Sequence, residues 1–302
     1  MDHKHLLASL SAEERTGLTA LSDGPGLLKL LQHIVCIAVF VFLILVDVPG
    51  WPLLMVPLGI LLVFLFTLLH ETVHRTPFRS VWLNRLVGRI CSLVLVLPAD
   101  WFRYFHLAHH RFTQQPDKDP ELAEPKPETI RQYIVHVSGI GVWKGHVMTL
   151  LRNAFRPNAD SFVPARAKAG VMGEARVMLV LYMCLLAGSV WTGSGALLWI
   201  WIVPLLLGQP FLRLYLLAEH GRCAFVANMF ENTRTTFTND LVRWLAWNMP
   251  YHAEHHAYPA VPYHALPAFH AATRQHLQVT GDGYACFNAA YVKNLVSAET
   301  DA

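Results

Sequence analysis

LLMVPLGILLVFLFTLLHETVH, residues 53–74, decides the fold. From Leu53 to Leu69 the run carries no charge, and it leads into His70 and His74. A bilayer core of about 30 Å needs about 20 helical residues, so this stretch reads as a transmembrane helix that delivers two imidazoles to its end. The partner arm runs from about residue 30 to 48 and is apolar apart from Gln32, His33 and Asp47. Pro49-Gly50-Trp51-Pro52 makes the turn between them, which sets the spans at about 30–48 and 51–69. A second apolar pair covers about 177–192 and 195–217, joined by Gly193-Ser194-Gly195. The expected fold is an all-α membrane protein: four transmembrane helices in two hairpins, interfacial helices, and a cytoplasmic cap. One membrane domain is expected to fill residues 1–302.

Composition agrees with that reading. The chain is 54% hydrophobic and only 15% charged, with a mean hydropathy of +0.34, far from an average soluble protein. A net charge of +3, spread along the chain, speaks against nucleic acid as a partner. Cys36, Cys91, Cys184, Cys223 and Cys286 form no CxxC pair and suggest a reducing compartment. The first residues carry Asp2, Glu13, Glu14 and Asp23 with no apolar core and cleavage site, so no signal peptide is expected. None of the 24 lysines and arginines falls in either short hairpin turn. By the positive-inside rule both termini, 70–176 and 218–302 are expected in the cytoplasm, on one side of a bacterial inner membrane.

Between the hairpins, residues 76–98 read as an amphipathic interfacial helix interrupted by Arg79, Arg85 and Arg89. Pro116, Pro120, Pro125 and Pro127, with Asp117, Asp119, Glu121, Glu124 and Glu128, suggest an irregular surface loop. Residues 129–156 read as a further interfacial helix. Residues 1–27 read as a short, frayed N-terminus, which leaves His3 and His5 without an expected role. His33, His136, His146, His264, His270 and His276 are read as structural.

Three histidine clusters remain. Asp100 sits where a cap would be for the helix of His106-Leu-Ala-His109-His110, and the same spacing recurs in His252-Ala-Glu-His255-His256. Positions i, i+3 and i+4 share a helix face, so each box is expected to present its three rings together. With His70-Glu-Thr-Val-His74 these boxes gather eight of the 17 histidines, and neutral imidazole is the commonest metal ligand. His220 ends the second hairpin as His70 ends the first, which makes nine candidate ligands. Four-coordinate zinc takes at most four, so nine suggest two metal ions. Glu71, Glu219 and Glu254 each adjoin a cluster histidine and could orient neighbours. Asn248, Pro250, Pro259 and Pro262 frame the last box as a short rigid helix, with Asn248 as its expected cap.

The three boxes, their order around a second hairpin, and the Asn248-Met-Pro-Tyr-His252 run resemble the integral-membrane fatty acid desaturase family, in its shorter bacterial branch. The resemblance covers roughly residues 35–270. It implies a cytoplasmic non-haem centre of two iron ions that uses O2 against an unactivated C–H bond. It maps His70, His74, His106, His109, His110, His220, His252, His255 and His256 as the ligands. Acyl-CoA desaturases carry an asparagine four residues before the extra histidine, where it holds a water on one iron. Here that place is Leu216, with Glu219 the candidate to take over. A lipid or acyl chain is the implied substrate. The implied electron donor is a separate ferredoxin, rubredoxin or cytochrome b5 with its reductase, because no His-Pro-Gly-Gly of a fused cytochrome b5 occurs. Basic residues within 75–176 and 222–243 could dock it.

Fatty acid desaturation is the leading expectation. Hydroxylation, terminal-alkene-forming decarboxylation, and desaturation of a small specialised metabolite belong to the same chemistry. Two other classes are weaker. His70-Glu71-Thr-Val-His74 is literally the HExxH of zinc proteases, but that reading leaves the other clustered histidines idle, and Asp23-Gly24 and Asp282-Gly283 lie outside the spans. A metal transporter would want polar groups inside the spans, and these are almost purely aliphatic.

Overall fold

The computed structural model describes residues 1–300, with side chains for all of these except 299 and 300. Its helices are α1 His3–Ser9, α2 Ala12–Leu18, α3 Asp23–Leu45, α4 Trp51–Val63, α5 Leu65–His74, α6 Val81–Leu95, α7 Ala99–Phe112, α8 Ile130–Ser138 and α9 Ile140–Phe155. The second half continues with α10 Ala165–Thr192, a π turn at Leu198–Ile202, α11 Val203–His220, α12 Met229–Asn232, α13 Asp240–Leu245, α14 His252–Ala257, α15 Leu266–Thr273 and α16 Tyr284–Thr300. Among the described residues, four stretches are long and apolar enough to cross a bilayer: Ala12–Leu45, Trp51–His74, Ala165–Thr192 and Leu198–His220. The α6–α7 pair passes the same test only when taken together, and it bends by 99°.

The four spans match the expected number and order, but each helix extends beyond its apolar stretch. α3 starts at Asp23, where Ser22 accepts the Gly24 N–H. α5 continues through His74 and stops at Arg75, whose φ of 62° breaks the helix. α10 begins at Ala165, and α11 runs to His220. A helix ends where its hydrogen bonding is broken, and hydropathy marks only where lipid ends. The expected helix over 129–156 is split in two by Gly139, with φ 71°.

α4–α5 and α11 form the centre, and α3 and α10 flank them. The flanking helices expose Leu28, Leu31, Val35, Val39 and Phe42, and Val177, Val180, Met183, Leu186 and Val190. Apolar surface of that extent on two long helices fits contact with lipid. In the centre Leu58, Leu62, Leu65, Leu68, Leu69, Leu205 and Leu212 are buried. α4 and α11 cross at Gly59 and Gly208, where a Cβ on Gly59 would lie 2.0 Å from the Pro204 carbonyl oxygen. This crossing sets the distance between the helix that leads to His70 and the helix that ends in His220.

The N-terminus corrects the expectation of a frayed end. Asp2 caps α1 and a Ser11–Glu14 capping box starts α2. Leu6 joins the core. His3 is buried: its N–H donates to Asn228 Oδ1 at 3.2 Å, and its Nδ1 accepts the Met229 N–H at 3.2 Å. His5 stays with Asp2 at the surface. His33 is structural as expected, with Nε2 2.9 Å from the Leu61 carbonyl.

Candidate metal centre

Four elements converge at one end of the bundle. α5 brings His70 and His74, α7 brings His106, His109 and His110, α11 ends on His220, and α14 brings His252, His255 and His256. α7 starts at Ala99 directly after Pro98, so Asp100 lies in its first turn and not at the cap. Asn248 does not cap α14 either. Its φ is 58° and its amide donates to the Tyr263 carbonyl at 2.9 Å, bracing the loop before the helix.

The rings sort into two groups. His70, His74, His106, His110 and His255 each place a nitrogen within 4.8 Å of the others, and so do His109, His220 and His256. His252 sits beside the second group, its Nε2 3.2 Å from that of His220. The groups adjoin where His110 and His256 stack at 4.0 Å with 8° between planes. Each HxxHH box is therefore divided, which differs from the expectation of one shared face. Successive residues on a helix point about 100° apart, from 3.6 residues per turn. His109 and His110 consequently serve opposite groups, and so do His256 and His255, while the i, i+4 pair His106 and His110 stays together.

The donor set suits metal ions. Nε2 of His70 lies 2.7 Å from Nε2 of His255, and Nε2 of His106 lies 2.9 Å from Nε2 of His74. Both nitrogens of His110, Nδ1 of His252 and His255, and Nε2 of His256 are buried without a hydrogen-bond partner. Unpaired buried polar atoms each cost about 1–3 kcal/mol, a penalty that coordination would remove. Burial, reinforced by the neighbouring imidazoles, holds His252, His255 and His256 well below the usual histidine range. Their rings are thus neutral, the form that donates a lone pair to a metal.

Carboxylates and carbonyls back the rings. Glu71 lies 3.7 Å from His255 Nδ1, fixed by the Thr76 hydroxyl at 2.9 Å and the Tyr263 N–H at 3.2 Å. Glu219 lies 3.4 Å from His252 Nδ1. Glu254 is placed differently from its expected role, its carboxylate taken by Thr235, His270 and Thr273. The His220 Nδ1 faces the Asn232 carbonyl at 3.2 Å. Two acids read from sequence as surface loop belong here. Asp119 is buried and lies 2.9 Å from His109 Nδ1, and Glu121 reaches within 3.4 Å of His109 Nε2 while pairing with Lys126. The signal available in the sequence was Asp119-Pro120-Glu121, which begins ten residues after His109. Outer carboxylates fix tautomer and ring orientation, and losing one costs about 10–100-fold in metal affinity. Asp119→Asn should weaken metal binding by that order with the helices intact, as read by chelator competition and circular dichroism; unchanged affinity would deny Asp119 this role.

A cavity of about 520 Å³ opens onto both groups. Phe66, Leu97, Trp101, Phe102, Phe105 and Leu212 give it an apolar side, and His70, His106, His109, His252, Glu121 and Glu219 form the wall toward the imidazoles. Leu216 also lines it.

The family model for "Fatty acid desaturase" matches residues 48–288, a range that holds every box and His220. The chain belongs to the fatty acid desaturase family. Enzymes of this family are histidine-box diiron proteins that use O2. Over 104 residues the chain is 32% identical to an sn-1 oleoyl-lipid 12-desaturase of Picosynechococcus sp., covering 32% of this chain and 30% of that protein. Over 251 residues it is 26% identical to the dihydrorhizobitoxine desaturase of Bradyrhizobium elkanii, covering 76% of this chain and 69% of that one. A fatty acid conjugase of Calendula officinalis is 23% identical over 251 residues, covering 73% and 67%. The protease reading of the first box loses its general base, because Glu71 is wholly buried and engaged by Thr76 and Tyr263.

Proposed function

We propose that this desaturase-family chain, a single membrane domain, oxidises an unactivated C–H bond of an acyl or similar chain, with fatty acid desaturation as the reaction. The observation that carries this reading is the convergence of nine largely buried imidazoles beside a mostly apolar cavity, with His70, His106, His109 and His252 in its wall. His70, His74, His106, His110 and His255 would hold one iron, and His109, His220, His252 and His256 the other. Bound iron would supply the activation of O2, with two electrons from a separate ferredoxin, rubredoxin or cytochrome b5. The protein's own part is to position and to exclude water. Trp101, Phe102 and Phe105 wall off the chain, and a dry, low-dielectric pocket protects reactive steps from side reactions. Both termini and the histidines would lie on the cytoplasmic side of a bacterial inner membrane, with the basic residues of 75–176 and 222–243 facing the donor.

A second reading, desaturation of a small metabolite, is favoured by the relative that matches over 251 residues and is named for dihydrorhizobitoxine. Hydroxylation is the third outcome of the same centre. Mass spectrometry of lipids and medium from a bacterial host, with a His106→Ala control, separates them. Acyl chains two mass units lighter, only with the intact protein, are expected. Products heavier by one oxygen would replace desaturase with hydroxylase, and unsaturation confined to a small metabolite would favour the second reading.

A further inference from the structure

Three cations line the cavity, and one of them differs from the others. Lys126 is neutralised by Glu121 at 2.7 Å and Arg152 by Asp160 at 2.6 Å. Arg213 has no carboxylate within 4.0 Å among the described residues; Glu124, Glu121 and Glu219 face it only at longer range. Its terminal nitrogen lies 3.2 and 3.4 Å from the two ring nitrogens of His136, and its Nε is buried with no partner. Burial and the Arg213 charge push His136 down to about 3, so that ring is neutral and cannot balance the guanidinium.

One helical turn earlier, at i−4 on the same face of α11, stands Gln209. Its side chain is 3% exposed, lines the cavity, and makes no hydrogen bond within the described chain. Its stem lies against Gly139, where a Cβ would come within 2.3 Å of Gln209 Cγ, so the amide is held in place. The Arg213 guanidinium meets only a neutral imidazole and keeps a buried Nε without a partner, and the Gln209 amide beside it is unengaged; both line the cavity, so an anion there would complete them.

We infer that Arg213 and Gln209 form a receptor for a carboxylate, so that this chain takes its substrate as a free acid and not as a neutral ester. The guanidinium fork matches a planar carboxylate through two parallel hydrogen bonds, and the Gln209 amide adds a donor alongside. Arg213 precedes His220 by seven residues, which is about 10 Å along the helix at 1.5 Å per residue. A carboxylate anchored there leaves a short alkyl segment to run past Phe102 and Phe105 to the imidazoles. This assignment rests on the proposed function only in taking the cavity for the substrate site.

The test is direct binding of radiolabelled decanoate and methyl decanoate to the iron-loaded protein in lipid nanodiscs, with iron content measured on the same samples. Hydrogen bonds to charged groups are worth about 10–100-fold in affinity, so the acid should bind at least about tenfold tighter than the ester. Arg213→Gln should erase that preference while ester binding and iron content hold, Gln209→Leu should reduce it, and Arg213→Lys should restore part. Equal binding of acid and ester by the unaltered protein would overturn the inference, as would an acid preference that survives in Arg213→Gln. If the acid preference appears in protein that holds no iron, the carboxylate site stands and the diiron reading fails.

Discussion

His255→Ala should abolish turnover and strip iron from the five-histidine group, an effect well beyond the roughly 10–100-fold cost of losing an outer partner. His255 is wholly buried, with its Nε2 2.7 Å from that of His70 and its ring centroid 4.5, 4.7 and 4.9 Å from those of His70, His74 and His110. No other residue of α14 enters that group. Alanine therefore removes the last box's only contribution to one metal and leaves four rings from α5 and α7 without a counterpart across the site. It also frees Glu71, whose Oε1 is buried with no other partner. Iron per chain by elemental analysis, read together with product formation, decides the matter. Full activity with undiminished iron would remove His255 from the ligand set and break the division into two groups.

Gly59→Leu should have the largest structural effect. A Cβ at Gly59 meets the Pro204 carbonyl oxygen at 2.0 Å and the Gly208 nitrogen at 2.9 Å. A Cβ at Gly208 would meet Gly59 carbon at 2.2 Å. Both obstacles are backbone, so no rotamer change relieves them and the two helices must separate. Small residues allow this kind of approach in membrane helices, where packing replaces the hydrophobic drive. Overpacking costs about 1–3 kcal/mol, which corresponds to an apparent melting temperature roughly 2–12 °C lower. Because α11 ends on His220 and α4–α5 on His70 and His74, the displacement should reach the metal site and lower iron content as well. Gly141→Ala is the control: nothing lies within 4 Å of its Cβ. A Gly59→Leu protein as stable and iron-rich as the unaltered chain would mean that the helices do not cross there.

Much of this architecture was legible in the chain. The four spans follow from uncharged apolar runs, eight of the clustered histidines from their spacing, and His220 from its place at the end of the second hairpin. Helix ends were less legible, because α5 and α11 run past the apolar stretch into polar residues, α5 stopping only where the backbone breaks at Arg75, and α10 starts twelve residues before its apolar stretch, at Ala165. The split of each box is a matter of helical phase. The i, i+3 and i+4 rule groups His106, His109 and His110, but a 100° step between neighbours is enough to send His109 and His110 to different groups when rings approach from three other helices. Asp119 was hidden for another reason. Its loop is polar and proline-rich, as surface loops are, and only the fold turns Asp119 inward onto His109. The place of His3 is not legible either, because closeness to a terminus says nothing about docking partners as remote in sequence as Asn228. The pairing state of Arg213, which singles it out from Lys126 and Arg152, exists only in three dimensions.

The central claim is that two metal ions share the nine imidazoles. The most direct measurement is metal content combined with Mössbauer and X-ray absorption spectroscopy on protein purified from cells grown on isotopically enriched iron. Two irons per chain in nitrogen-rich coordination are expected, in two environments that reflect five histidines on one side and four on the other. One zinc per chain, or iron bound undiminished after His255→Ala and His256→Ala together, would contradict that claim.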